Sequence, residues 1–201
     1  MELDDFLREL LSHLENNYNS GKNKNSEIQV GFCRTNGDKI IYISGNAGIG
    51  KGQAAIDFNY KKIEEFVNSK LRVANDDSGT LKIKIVNRPQ GLNGCLHAEM
   101  NIIRQMLDDL CATPDYTKHT TLYLKGKKSP CKKCKEFIDC LNSLTSHFLT
   151  VNVLQATEDV SQRQYPTMWD NPMNYLTKDR ILSILSECDY NYCCPIKIGI
   201  D

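Results

Sequence analysis

Two short stretches decide how this chain reads: His97-Ala98-Glu99-Met100-Asn101-Ile102-Ile103 and, after an interval of 30 residues (100–129) from Glu99, Pro130-Cys131-Lys132-Lys133-Cys134. One imidazole and two thiolates form a soft nitrogen/sulfur set suited to zinc. Three protein ligands leave the fourth tetrahedral position open for water, which marks a catalytic site; a purely structural site usually has four protein ligands. Zinc lowers the pKa of water towards about 7, and a carboxylate two residues from the histidine is placed to take a proton and hand it on.

Outward from this core, the chain alternates helical and strand periods. Leu3, Phe6, Leu7, Leu10, Leu11, Leu14 and Tyr18 recur at three- and four-residue steps and predict an opening amphipathic helix. Ile28, Val30 and Phe32, then Asn36-Gly37, then Ile40 to Ile43 predict an antiparallel hairpin with a tight turn. Ile56, Tyr60, Ile63, Val67 and Leu71 mark a second helix, and Leu81, Ile83 and Ile85 a short strand. A helix from about His97 buries Met100, Ile103, Leu107 and Leu110. Next come a strand at TTLYLKG, a helix from Cys131 carrying Phe137, Ile138, Leu141 and Leu144, and a strand at FLTVNVL. An aromatic-rich loop runs from Gln155 to Tyr175, followed by a helix capped by Thr177 and a last strand at Ile196, Ile198 and Ile200. Helices at both motifs with a strand between them place the two thiolates and the imidazole at helix starts, where free amides and the dipole favour the deprotonated sulfur.

His-x-Glu followed by Pro-Cys-x-x-Cys resembles the signature of the cytidine deaminase-like zinc-dependent deaminases. HAEMNII and TLYLKGKKSPCKKC look like that family's two metal helices and the strand between them. The resemblance implies an α/β chain with a three-layer α/β/α fold and a five-stranded mixed sheet, here with an extra helix and strand inserted before the zinc helix. The length suits a single domain over 1–201, and the resemblance places the insertion at about 51–92. It also implies that His97, Cys131 and Cys134 hold Zn2+ and that Glu99 shuttles protons. Asn46, in the loop after the second strand, matches a family residue that contacts base or sugar, and main-chain groups at Ala98 and Cys131 are expected to face the base. The helix at 178–188 before the last strand is similar to the branch containing tRNA adenosine deaminases and polynucleotide cytosine deaminases. The superfamily admits homo-oligomers.

Other features carry competing readings. GNAGIGKG (45–52) matches part of a phosphate loop, but Gly52 stands where Ser or Thr would bind magnesium, so a glycine-rich substrate loop is the plainer explanation. Lys125, Lys127, Lys128, Lys132, Lys133 and Lys135 crowd the second motif; Lys127 and Lys128 become candidate contacts to a phosphate-bearing substrate, against the alternative of a solvated face. Tyr165, Trp169 and Tyr175 offer rings, and Trp169 is carried as a candidate base contact, although packing of a long loop onto the core is the plainer reading. Cys188, Cys193 and Cys194 lack the spacing of a second metal site.

Composition sets the outer limits. The 201 residues are 40% hydrophobic and 25% charged, with 25 Lys+Arg balanced by 25 Asp+Glu. Zero net charge argues against nonspecific coating of nucleic acid. No apolar run approaches the ~18 residues of a membrane span, and the first residues lack a signal-peptide pattern. Nine cysteines with one Cys-x-x-Cys suit a reduced, cytoplasmic protein with a metal site better than a disulfide framework. The expected activity is hydrolytic deamination of an amino-bearing base: cytosine in a nucleotide or in single-stranded nucleic acid. The alternatives are adenine, a free nucleoside, or a silent zinc-bearing module that binds nucleic acid or protein.

Overall fold

The middle strand of the sheet runs against all the others, and this arrangement gathers the functional ends of the chain. The computed structural model describes residues 2–18, 27–35, 38–45, 58–71, 80–86, 97–112, 119–146 and 149–159. Five strands, β1 (Ile28–Thr35), β2 (Asp38–Gly45), β3 (Leu81–Val86), β4 (Thr120–Gly126) and β5 (Leu149–Val153), lie in the order β3-β2-β1-β4-β5. β1 is antiparallel to both β2 and β4, while β3 is parallel to β2 and β5 is parallel to β4. The carboxyl ends of β2 to β5 therefore meet the amino end of β1 at one edge of the fold. In open α/β sheets the carboxyl ends of the strands are where ligands sit.

Alternation along β1 separates the two faces. Ile28, Val30 and Phe32 pack with α1 (Leu3–Tyr18) and α2 (Tyr60–Leu71), joined by Ile41, Ile43, Ile63 and Val67. Cys33 points to the other layer, made by α3 (Ala98–Ala112) and α4 (Lys132–Thr145). The result is the expected three-layer α/β/α fold. α3 approaches β1 so closely that a Cβ on Gly31 would lie 2.9 Å from Ile102 Cγ2, which fits only glycine at that strand position.

The helices follow the periodic pattern with two departures. Met100, Ile103, Leu107 and Leu110 are buried in α3, and Phe6, Leu7, Leu10, Leu11 and Leu14 in α1. Tyr60, placed on the apolar stripe of α2 by its spacing, is 46% exposed because it opens the helix and its ring escapes the sheet. In α4 Thr145 is buried instead of Leu144, its hydroxyl donating to the carbonyls of Leu141 and Leu149.

The inserted strand is a full member of the sheet, pairing along β2 from Lys39↔Leu81 to Ser44↔Val86. The strand at 196–200, the helix at 178–188, Cys188, Cys193 and Cys194, and the aromatic segment beyond 159 lie outside the described residues. No helix among the described residues is long and apolar enough to cross a membrane.

β5 is closed along its outer side by α4. Asn142 donates through Nδ2 to the Val151 carbonyl at 2.9 Å and accepts the Val151 N–H at 2.7 Å, imitating a neighbouring strand. Thr145 takes the Leu149 carbonyl in the same row. Edge strands are commonly blunted in this spirit, by covering the free backbone groups. Replacing Asn142 by Ala strands a buried backbone donor and acceptor, so we expect a loss of about 1–3 kcal/mol in urea unfolding and faster amide exchange at Val151; unchanged exchange would refute this role.

Candidate metal centre

Helices α3 and α4 each begin on a candidate ligand, and at α4 that side chain does not cap the helix. His97 immediately precedes α3, and its carbonyl accepts the N–H groups of Met100 and Asn101 at 3.0 and 3.2 Å. Cys131 is the N-cap of α4, with extended backbone (φ −66°, ψ 167°) and no side-chain hydrogen bond to the helix amides. Ser, Thr, Asp or Asn would normally stand there and stabilise the helix by about 1 kcal/mol. The Cys131 sulfur is engaged elsewhere. It lies 3.4 Å from His97 Nδ1 and 3.5 Å from Cys134 Sγ, while Cys134 Sγ is 3.2 Å from the same nitrogen.

These three donors, all buried, are the metal-binding group found among the described residues. Tetrahedral zinc, with Zn–S near 2.3 Å and Zn–N near 2.05 Å, demands donor separations of roughly 3.6 Å for N···S and 3.8 Å for S···S. The observed separations are a few tenths of an ångström shorter, so a zinc ion fits with small side-chain movement. Donor type, number and convergence agree: His97, Cys131 and Cys134 are positioned as zinc ligands.

The three donors set one another's protonation. A shared hydrogen bond with Cys134, together with His97, brings the Cys131 thiol down to about 5, against the effect of burial. Cys134 is pushed up by the same hydrogen bond and by burial. Burial disfavours a charged His97, but hydrogen bonds to Cys131 and Glu99 outweigh it and carry the imidazole up to about 10. Both sulfurs sit at the positive end of the α4 dipole, which favours thiolate.

Glu99, in the first turn of α3, is 3% exposed, and its Oε1 lies 3.6 Å from His97 Nδ1. It belongs to the pocket without being one of the three clustered donors. Ala98, wholly buried, opens the helix between them. Asn46 and Trp169, the candidate substrate contacts, and the whole of GNAGIGKG after Gly45 lie outside the described residues.

The lysine run divides on inspection of its partners. Lys125 is buried and faces the α1 layer, donating to Asp4 Oδ1 at 2.9 Å and to the Gln155 carbonyl at 2.6 Å. This corrects the picture of six lysines over one pocket, and the reason is strand alternation: Lys125 pairs with Val30, whose side chain also enters that layer. Lys127 pairs with Glu158 at 3.0 Å and Lys128 with Glu27 at 3.7 Å. Lys132, Lys133 and Lys135 have no ion pair among the described residues.

Sequence reading missed a polar patch beside the centre. Glu27 and Gln29, on the same face of β1 as Cys33, sit where inward strand positions are usually apolar, and that break in the pattern was the available signal. Burial pushes the Glu27 carboxyl from an ordinary 4.5 up to about 7, helped by the charge of Glu99 and opposed by the hydrogen bond from Lys128. The folded pKa lies above the unfolded one, so this group's contribution to stability is full below about pH 4.5 and is lost as pH rises through 7. Between about pH 5 and pH 8 the wild-type chain should lose up to about 3 kcal/mol relative to Glu27→Gln, read by urea unfolding at each pH. A pH-independent difference would show that Glu27 does not titrate this way.

With this geometry in place, comparison with known proteins adds one finding. Residues 5–146 match the family model described as the cytidine and deoxycytidylate deaminase zinc-binding region. No curated protein and no solved structure matches the chain significantly. The match spans most of the chain and contains His97, Glu99, Cys131 and Cys134; the protein belongs to the cytidine and deoxycytidylate deaminase zinc-binding family.

Proposed function

We propose that this protein is a zinc-dependent hydrolytic deaminase that converts cytosine to uracil in a nucleotide or in single-stranded nucleic acid. The observation that carries the reading is the buried Glu99 carboxylate, 3.6 Å from the nitrogen of His97 that faces both thiols. A zinc ion held by His97, Cys131 and Cys134 would supply a Lewis acid that makes water acidic near neutral pH. Glu99 accepts one proton of the attacking water and delivers it to the ring nitrogen next to the amine-bearing carbon, then accepts the second proton from the added hydroxyl and passes it to the departing amine. Water adds, ammonia leaves, and a carbonyl replaces the amine, so atoms and charge balance. The buried floor, with Ala98 fully covered and Glu99 nearly so, keeps competing water from the carboxylate.

The family's name supports cytosine as the base. A phosphate-bearing substrate is supported by Lys132 and Lys133, which open α4 between the two sulfur ligands and have no ion pair among the described residues. Lys127 and Lys128 would reach such a substrate only by exchanging Glu158 and Glu27 for it. A base in a duplex would have to be flipped or already unpaired to enter the pocket.

The test is incubation with cytidine, its nucleotides, the adenine counterparts, and single-stranded DNA and RNA, reading the gain of about one dalton on amine-to-carbonyl exchange. Glu99→Ala should lower turnover by at least about 100-fold while zinc content and fold persist. Lys132→Glu with Lys133→Glu should raise KM for phosphorylated cytosine substrates and leave cytidine unaffected. Product from adenine substrates alone would reassign the base. No product with any substrate from a zinc-loaded chain would favour a silent binding module.

A further inference from the structure

We propose that Glu27 is a positioning residue for the metal centre: through the Lys128 backbone N–H and the Gln29 amide it holds the loop from Gly126 to Cys131 where Cys131 can serve as a ligand. The inference rests on the reading of His97, Cys131 and Cys134 as the metal ligands.

Only residues 127 to 131 carry the chain from the end of β4 to the first residue of α4, and they must deliver one sulfur to a fixed point. Their backbone groups are held from two sides. On one side, the Lys127 carbonyl accepts the Glu158 N–H and the Thr157 hydroxyl, both at 2.9 Å, and the Ser129 N–H donates to the Glu158 carbonyl at 2.9 Å. On the other, Glu27 Oε1 accepts the Lys128 N–H at 3.0 Å and Gln29 Nε2 at 3.2 Å, and Gln29 Nε2 also reaches the Lys128 carbonyl at 3.4 Å. One carboxylate oxygen thereby ties the central strand to the ligand loop.

The two sides are not equal. Thr157 is exposed, as is the Ser129–Asp159 hydrogen bond, and the Lys127 and Glu158 side chains are about half exposed, so water can replace what they lose. Glu27 keeps only 10% of its side-chain surface and Gln29 is 3% exposed. A buried partner that disappears leaves the Lys128 N–H unpaired at full cost. Gly126 confirms how tightly this side is built: a Cβ there would fall 2.0 Å from Gln29 Nε2 and 2.4 Å from its Cδ, so the amide lies flat on the glycine. Glu27 touches no ligand; its effect reaches the metal through the position of Cys131.

The test uses the zinc-loaded full chain and follows zinc transfer to a chromogenic chelator, with the thiolate charge-transfer band of the cobalt-substituted protein as a second readout. Removing groups that orient metal ligands typically weakens metal binding by about 10–100-fold, so Glu27→Ala should release zinc roughly tenfold faster and shift the cobalt band. Glu27→Gln keeps an oxygen for the Lys128 N–H and should stay within about twofold of wild type. Gly126→Ala, which expels the Gln29 amide while leaving Glu27 in place, should also quicken release. Val67→Ala, a cavity on the opposite face of the sheet, should lower the melting temperature without changing release. Release from Glu27→Ala no faster than from Val67→Ala, or as fast from Glu27→Gln as from Glu27→Ala, would overturn the proposal. A wild-type chain that binds no zinc, or a Cys131→Ser chain that holds it as tightly, would strike the metal-centre reading itself and take this inference with it.

Discussion

Two helices start at the same end of one sheet, each on a metal-binding side chain, and at Cys131 that side chain stands where a capping hydroxyl or carboxylate would ordinarily be. The convergence of His97 Nδ1 with the Cys131 and Cys134 sulfurs, 3.2 to 3.5 Å apart, is the constraint on which the functional half of the molecule depends. The lost cap at Cys131 costs about 1 kcal/mol, whereas structural zinc in small peptides contributes about 10–16 kcal/mol. The exchange favours metal by a wide margin. α3, which His97 precedes, packs closely on β1, where a Cβ on Gly31 would crowd Ile102.

The rest of the fold brings these ends together. Because β1 alone runs in reverse, its first residues lie beside the last residues of β2 and β4, which is why Glu27 and Gln29 stand next to Gly126 and Lys128. A polar pair at the start of one strand can then set the exit path of another. The layer formed by α1 and α2 contributes differently: it is an apolar backing, tied to β4 by Lys125, whose ammonium donates to Asp4.

Much of this was legible in the sequence, and the physical reason is locality. His97 and Glu99 share one helical turn, and Cys131 and Cys134 share another, so residue type and spacing expose both half-sites directly. Strand alternation likewise marked out the strands, including the one at Leu81–Val86. What escaped was non-local. Glu27 and Lys128 are 101 positions apart, and Lys125 and Asp4 are 121 apart, so no window of sequence shows that, among the described residues, Lys125, Lys127 and Lys128 are paired with acids while the lysines of α4 are not. The seal that Asn142 places on β5 was hidden for another reason: a polar residue on an amphipathic helix reads as solvent-facing until the strand beneath it is known.

The most direct measurement is X-ray absorption at the zinc edge of the purified, metal-loaded chain. A three-ligand centre of this kind gives two sulfur scatterers at about 2.3 Å and two nitrogen or oxygen scatterers near 2.0–2.1 Å, one of them contributed by solvent, with one sulfur lost in Cys131→Ser. A shell of four sulfurs, drawn from the chain's other cysteines, or the absence of stoichiometric zinc, would contradict an open catalytic centre at His97, Cys131 and Cys134.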